Sequence, residues 1–171
     1  MILRSSDVAR ALEPAAPGFV SALRNSKVEA HTLSLQPESI RILIAEDNLV
    51  NQKLALLLLT KSGYTVDVAS NGAEAVELFD RLRHPLIFMD AQMPEMDGYQ
   101  ATQAIRLMEK GPPRAVIVAL TAHAMAGDRE RCLEAGMDDY LPKPLQIATF
   151  YEGLERWLLL VEQRRANPSQ S

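Results

Sequence analysis

Polar side chains follow four apolar segments of the chain, at the point where each segment ends. Glu46 and Asp47 come directly after the run RILIA, and Asp90 comes directly after LIFM. Thr121 follows AVIVAL, and Lys143 follows the shorter segment DDYLP. If these segments are neighbouring parallel strands, their carboxyl ends meet at one edge of a sheet and these side chains converge there.

Together these side chains form a set that suits phosphoryl transfer. Clustered carboxylates repel one another and raise one another's pKa values unless a cation lies among them. Hard oxygen ligands with no histidine or cysteine nearby favour Mg²⁺ as that cation. A carboxylate beside the ion can attack phosphorus and form an acyl phosphate, while a lysine and a hydroxyl bind the phosphoryl oxygens. The set therefore predicts a magnesium-dependent phosphoryl acceptor.

Each of these residues taken alone also has a purely structural explanation. A carboxylate after a strand, such as Asp90, often caps the next helix. Thr121 could enter a helix, and Lys143 could be a solvated surface charge. It is the joint placement at successive strand ends that favours the functional interpretation.

From Arg41 onward, short apolar runs alternate with amphipathic stretches, which predict strands and helices respectively. The predicted strands are 41–45, 64–69, 86–89, 115–120 and 138–142, and the predicted helices are 49–62, 71–83, 98–110, 127–135 and 147–162. Strict alternation of this kind indicates an α/β fold, a doubly wound five-stranded parallel sheet with helices on both faces. In such a sheet the working site lies beyond the carboxyl ends of the strands.

The composition is that of a soluble globular domain and argues against several other classes of protein. A single cysteine, Cys132, excludes an internal disulfide framework. A net charge of −4 without a basic block argues against nucleic-acid binding. No apolar run is long enough to span a membrane, and the amino terminus lacks the apolar core of a signal peptide. The histidines 31, 84 and 123 have no ligand spacing and are interpreted as surface or loop groups.

Composition also divides the chain into three parts. Residues 1–39 carry Pro14, Pro17 and Pro37 among scattered serines and alanines, which predicts a linker that is largely disordered or partly helical. Residues 40–162 form the predicted domain, and residues 163–171 a C-terminal tail. We expect the domain to work in the cytoplasm without direct membrane contact.

Four segments resemble the motifs of response-regulator receiver domains. They are IAEDN (44–48), FMDAQMPEMDG (88–98), ALTAHA (119–124) and GMDDYLPKP (136–144). The segment EDNLVNQ (46–52) is most similar to the receivers of hybrid sensor histidine kinases. The resemblance covers about residues 40–162 and implies a flavodoxin-like sheet with strand order 2-1-3-4-5.

The resemblance implies a role for each residue of the site. Asp90 is the expected phosphoacceptor, and Asp47 and the backbone carbonyl of Gln92 join it as metal ligands. Glu46 is expected to help hold Mg²⁺ through water. Lys143 is expected to pair with the phosphoryl oxygens.

Thr121 and Tyr140 resemble the switch pair of the family. In such a pair the hydroxyl moves toward the phosphoryl group and the aromatic ring turns inward. The bond between Lys143 and Pro144 resembles the cis peptide of the family, which is tolerable because it precedes proline.

The resemblance predicts a switch rather than an enzyme. An aspartyl phosphohydrolase of the haloacid-dehalogenase kind needs a second aspartate two residues after the nucleophile, and Gln92 occupies that place. The chain has no Gly-rich ATP-binding motif, so a kinase, if fused to it, lies outside these residues. Two settings stay open: the receiver of a hybrid histidine kinase, tethered to the membrane through that parent, and a stand-alone regulator.

The expected partner is a histidine kinase or a histidine phosphotransfer protein. The stripe of the first helix that is expected to face the sheet is Val50, Leu54, Leu57 and Leu58. Leu56 and Leu59 fall off that stripe, which predicts an exposed docking patch for partner helices. The alternative is a wide core face covered by a neighbouring helix.

Overall fold

The computed structural model of the protein describes residues 39–109, 114–122 and 126–166. Within these ranges five strands alternate with five helices. The elements are β1 (Arg41–Ala45), α1 (Leu49–Lys61), β2 (Thr65–Ala69), α2 (Gly72–Leu82), β3 (Leu86–Asp90), α3 (Gly98–Met108), β4 (Val116–Thr121), α4 (Ala126–Glu134), β5 (Asp139–Pro142) and α5 (Ile147–Ala166). None of these helices is both long and apolar enough to cross a membrane.

The strands form one parallel sheet in the order β2-β1-β3-β4-β5, which confirms the expected order. Because β1 lies between β2 and β3, the direction in which the chain crosses the sheet reverses at β1. Ala45 at the end of β1 pairs with Met89, one residue before Asp90. The carboxyl ends of β1 and β3 therefore flank the crevice where doubly wound sheets place their ligands.

The side chains of alternate strand residues pack into two separate hydrophobic cores, one on each face of the sheet. On the first face Ile44 and Phe88 pack with Leu59 of α1 and Trp157 of α5. On the second face Ile87 packs with side chains of α2, α3 and α4. Each fully buried side chain of this size contributes about 1.5–3 kcal/mol, so both faces hold the strand ends rigidly in place.

The loop after β3 is held closely against the end of that strand. The backbone N–H of Gly98 donates to the carbonyl oxygen of Ala91 at 3.2 Å. A Cβ at residue 98 would collide with the backbone carbonyl oxygen of Asp90, so this close approach requires glycine. Asp97 and Gln100 form a capping box that starts α3 directly after the loop.

The predicted sheet-facing stripe of α1 is wrong at two of its four positions. Val50 is 75% exposed and Leu57 is 49% exposed. The helix is apolar on almost every side, so its hydrophobic pattern does not select one face. The buried face carries Gln52, Ala55, Leu58 and Leu59. The side-chain Nε2 of Gln52 on this face donates to the backbone carbonyl oxygen of Glu46 at 2.5 Å.

The predicted docking patch is wrong for the same reason. Leu59 is completely buried in the first core, and Leu56 is half-buried against that core. Neither side chain forms an exposed patch. The alternative, a wide core face, describes this part of α1.

His84 lies in the loop between α2 and β3, as the interpretation of surface or loop groups allowed, but it is not at the surface. Its side chain is completely buried, and Nε2 lies 2.8 Å from Oδ2 of Asp67 in β2. The side chain of Arg41 donates to the same carboxylate at 2.5 Å. His31 and His123 lie outside the described residues, as does the predicted linker up to residue 38.

The last helix continues four residues beyond its predicted end at Glu162, to Ala166. Arg164 explains the extension, because its guanidinium donates to the carbonyl oxygen of Ala115 at 3.0 Å and to Asp138 at 2.7 Å. These contacts hold the last turn against the amino ends of β4 and β5.

Candidate functional site

Three carboxylates lie together at the carboxyl ends of β1 and β3. Glu46, Asp47 and Asp90 each offer an oxygen atom within 4.8 Å of the others. Glu46 is 1% exposed and Asp90 3% exposed, whereas Asp47 is open to solvent. The sequence placed these residues together correctly, because each directly follows or ends a buried strand.

Lys143 joins the cluster from the end of β5. Its Nζ donates to Oδ2 of Asp90 at 2.6 Å and lies 2.8 Å from Oε2 of Glu46. Its backbone N–H donates to the carbonyl oxygen of Thr121 at 2.7 Å, and its bond to Pro144 is cis, as expected. Although burial opposes the charged ammonium, its bonds to the two carboxylates raise the pKa of Lys143 above its ordinary value.

Asp90 has the most perturbed carboxyl group of the site. Burial, together with the charge of Glu46, raises the pKa of Asp90 to about 6, against the opposing effects of Lys143 and of the backbone N–H of Gln92. That N–H donates to Oδ1 of Asp90 at 3.0 Å. The cluster thus holds three acids against one ammonium, and a hard divalent cation would balance the excess negative charge.

Glu46 is positioned by the first turns of α1. Its Oε1 accepts hydrogen bonds from the backbone N–H of Asn48 at 3.2 Å and from the side-chain amide of Asn51 at 3.1 Å. Gln52 holds the backbone of Glu46. Sequence reasoning missed these three positioning residues. They lie in the segment EDNLVNQ, which was interpreted from the sequence only as a motif similar to those of hybrid-kinase receivers and not as a set of positioning residues.

Thr121 ends β4, the strand that pairs with β3. Asp90 pairs in register with Leu120, so Thr121 is the next residue along the rim, and its side chain is buried. Tyr140 pairs with Ala119, two residues before Thr121, which puts Thr121 and Tyr140 on the same face of the sheet. Tyr140 is half-buried against the second core.

The site therefore combines a buried carboxylate, Asp90, with two further acids and an ammonium that contacts Asp90. Such a set can hold a hard divalent cation and pair the ammonium with an anionic group. Gln92 stands where an aspartyl phosphohydrolase carries its general acid, and an amide cannot protonate a leaving group.

The chain is similar to two-component signalling proteins along most of its described length. The family described as "Response regulator receiver domain" matches residues 42–155. Hybrid signal transduction histidine kinase B of Dictyostelium discoideum is 46% identical over 136 residues, which are 73% of this chain and 7% of that protein. The chain therefore spans a small part of the length of the curated relative it matches.

Two solved structures have the same fold. The receiver domain of a sensor histidine kinase from Pseudomonas aeruginosa PAO1, with a magnesium ion coordinated in its active-site cleft, is 45% identical, with a TM-score of 0.65 over 71% of this chain and 98% of that one. The second is the co-crystal structure of the Saccharomyces cerevisiae histidine phosphotransfer signaling protein Ypd1 and the receiver domain of the response regulator Ssk1. It gives 34% identity and a TM-score of 0.67 over 74% of this chain and 92% of the matched one. This chain belongs to the response-regulator receiver family.

Proposed function

We propose that this chain is a phosphoacceptor switch of a two-component phosphorelay, in which Asp90 takes a phosphoryl group from a phosphohistidine. The observation that supports this most is the contact of buried Asp90 with Lys143 Nζ at 2.6 Å inside a cluster of two further carboxylates. A purely structural ion pair would not need the additional acids, because their mutual repulsion costs stability.

The acid cluster suits a magnesium ion. The proposed ligands are Asp47, Asp90 and the backbone carbonyl of Gln92, with Glu46 acting through water. When bound, the ion would neutralise the phosphoryl oxygens and part of the charge of the acids. The related Pseudomonas aeruginosa receiver holds magnesium in its active-site cleft, which supports the same assignment here.

Phosphoryl transfer is a displacement at phosphorus by the Asp90 carboxylate. A new O–P bond forms, the P–N bond to the donor imidazole breaks, and its electron pair stays on the ring nitrogen. Lys143 is already within hydrogen-bond distance of the acceptor and can pair with the incoming phosphoryl oxygens. Thr121 offers a hydroxyl from the next strand end.

The proposed switch consists of Thr121 and Tyr140. Because they share one face of the sheet, a movement of the Thr121 hydroxyl toward the phosphoryl group changes the space next to the Tyr140 ring. Inward rotation of that ring would alter the surface formed by β5 and α4 and so change which partner binds.

The exposed apolar residues of α1 form a better docking candidate than Leu56 and Leu59. Leu49, Val50 and Leu57 are exposed, and we call them the α1 patch. The patch begins three residues after Glu46, beside the acceptor rim. We propose that it packs against the helices of a histidine phosphotransfer protein, the class of protein that accompanies the similar Ssk1 receiver. Such packing would place a donor imidazole beside Asp90.

We further propose that the domain serves as the receiver of a hybrid histidine kinase and works on the cytoplasmic side of the membrane. The similarity to a short part of such a kinase supports this setting. A stand-alone regulator would use the same site. Whether the gene reads on into a kinase distinguishes the two settings.

Intact mass spectrometry after treatment with acetyl phosphate tests the proposed acceptor. The protein should gain the mass of one phosphoryl group when Mg²⁺ is present and none when it is chelated. Asp90→Asn should gain none, whereas the control Asp80→Asn, which changes an exposed carboxylate of α2, should be labelled normally. Undiminished labelling of Asp90→Asn would refute the assignment.

The hydrolase alternative makes a different prediction for phosphate monoesters. An enzyme of that kind would release phosphate from them over many turnovers, which requires a general acid for the leaving oxygen. Because Gln92 cannot supply that proton, we expect no turnover of glycerol 2-phosphate, whose alkoxide leaving oxygen, unlike p-nitrophenolate, has to be protonated as it departs.

A further inference from the structure

An open cleft of about 500 Å³ adjoins the acceptor site. Its lining comes from three parts of the fold: Asp47 after β1, Gln92 and the start of α3 after β3, and Arg131 on α4. The cleft therefore connects residues next to the acceptor with a helix that the acid cluster does not use.

Arg131 is the one cation among the described residues that line this cleft. Its guanidinium carbon lies 4.8 Å from the centre of the Tyr99 ring, which also lines the cleft. A cation–π contact of this kind restrains the long side chain against the wall instead of leaving it free in solvent.

Two acids also face the cleft. Asp47 belongs to the proposed metal ligands, so its charge is engaged when the site is loaded. Asp97 caps α3 and accepts the backbone N–H of Gln100 at 2.8 Å, so the helix terminus stabilises its charge. Arg131 is then the group left to interact with an anion that enters beside Gln92.

We propose that Arg131 binds the carboxylate that leaves from a small acyl phosphate, and so determines which small-molecule donors phosphorylate Asp90. The inference rests on the proposed function and adds a substrate-selecting residue to it. A planar guanidinium matches a carboxylate with two parallel hydrogen bonds, which an ammonium cannot do.

The step is the same displacement with a different leaving group. The Asp90 carboxylate oxygen bonds to phosphorus, and the P–O bond to the acyl oxygen breaks. The electron pair leaves with that oxygen, so acetyl phosphate releases acetate and no proton is required. Negative charge grows on the leaving carboxylate during the step, and Arg131 stabilises it more strongly in the transition state than in the ground state.

Phosphoramidate provides the contrast that isolates this effect. Its leaving group departs as neutral ammonia, so a guanidinium at the leaving position gives it no comparable stabilisation. Removing Arg131 should therefore slow labelling by acetyl phosphate and spare labelling by phosphoramidate. A general change in the electrostatic potential of the site would instead slow labelling by both donors.

The experiment compares Arg131→Gln with Arg129→Gln, which removes the same charge from an exposed position on the same helix. Second-order labelling rates are measured by intact mass with each donor in Mg²⁺. Arg131→Gln should lower the acetyl phosphate rate by about fivefold, the upper range for a solvent-accessible ion pair. The phosphoramidate rate of that variant and both rates of Arg129→Gln should stay unchanged.

Arg131→Lys keeps the positive charge but loses the planar guanidinium that can donate two parallel hydrogen bonds. Its rate of labelling by acetyl phosphate should lie between those of the unaltered chain and Arg131→Gln. Beryllofluoride, which has no leaving group, should bind all three variants equally and thereby confirm an intact site. Equal losses with both donors, or no loss with acetyl phosphate, would overturn the role of Arg131. Failure of both donors to label the unaltered chain would instead overturn the proposed function.

Discussion

The two ends of the sheet both bring carboxylates and cations together, but with opposite balances of charge. At the carboxyl end, Glu46 and Asp90 contact the ammonium of Lys143, and Asp47 is a third acid within 4.8 Å of those two. At the amino end, Asp138 lies among three arginines, Arg106 at 2.9 Å, Arg114 at 2.5 Å and Arg164 at 2.7 Å. We call these four residues the amino-end cluster.

The same burial therefore has different consequences at the two ends. Burial opposes the charge of Asp138, but hydrogen bonds from Arg164 and the backbone N–H of Ile117 outweigh it and hold the pKa of Asp138 below its ordinary value. At Asp90 burial prevails, and the pKa of that carboxyl is raised to about 6. The difference shows that burial of an ion pair does not by itself mark a functional site. At Asp138 the arginines keep the acid ionised, whereas at Asp90 burial and a second acid outweigh the single ammonium, and a carboxyl group perturbed in this way is a candidate for function.

The largest effect on stability is expected at the amino-end cluster. Asp138→Ala should lower the free energy of unfolding by about 3 kcal/mol, because it leaves half-buried arginines without their anion. Urea denaturation measures this change. Asp80→Ala, which removes an exposed partner of Arg83, is the matched control and should cost less than about 0.5 kcal/mol. Equal losses of unfolding free energy in the two variants would mean that the amino-end cluster stabilises the fold no more than an exposed ion pair does.

At the acceptor end, substitution should act on chemistry instead. Lys143→Ala should slow labelling by acetyl phosphate by about a hundredfold, because the transferred phosphoryl charge loses its preorganised partner. Tyr140→Ala should label at nearly the normal rate, because Tyr140 contributes no ligand. The rate of mass gain in Mg²⁺ measures both. Near-total loss in both variants would contradict the separation of chemistry from switching.

The parts of this comparison that were predictable from the sequence are the local ones. Asp90 and Thr121 end runs of apolar residues, so their place at the rim follows from the strands themselves. The pairing of His84 with Asp67 was not predictable, because 17 residues separate them in sequence and packing against β2 brings them together. Arg131 was missed for a similar reason, since its contact with Tyr99 joins two helices.

The face of α1 was unpredictable for a different reason. The apolar residues of this helix are spread over several of its faces, so the sequence has no clear helical periodicity. The buried side combines core packing of Leu58 and Leu59 with the hydrogen bond from Gln52 to the backbone of Glu46. Only the structure therefore separates core residues such as Leu59 from exposed residues such as Val50.

The exposed side chains of α1 allow a test of the proposed docking surface. A double variant, Leu49→Ser with Val50→Ser, should slow phosphoryl transfer from a phosphorylated histidine phosphotransfer protein by about tenfold, as expected when apolar anchors are lost from an interface. Labelling by acetyl phosphate should stay normal, because that donor needs no protein surface. The control is Leu107→Ser, which changes an exposed leucine on α3. Equal slowing by the control would place the docking surface elsewhere, or show that the effect is not specific to the α1 patch.

The smallest expected effect concerns the buried histidine near the amino end of the sheet. His84 donates from Nε2 to Asp67, and its buried Nδ1 has no hydrogen-bond partner among the described residues. Protonation would bury an unpaired N–H, so burial lowers the pKa of His84 below 6.5, against the opposing hydrogen bond to Asp67. The unfolded chain, whose histidine titrates near 6.5, then binds more protons than the folded chain as the pH falls below that value.

Stability should therefore be full above pH 7 and decline as the pH falls from about 6.5 toward the lowered pKa of His84, by at most about 1.4 kcal/mol per pH unit. We expect a loss of about 1 kcal/mol between pH 7 and 5.5. Denaturation in an Asp90→Asn background without Mg²⁺ measures it, because the titration of Asp90 is then removed. His84→Gln can still donate to Asp67 but cannot take up a proton, so its stability should vary less over this range. Parallel pH curves for the two chains would show that the pKa of His84 does not change on folding.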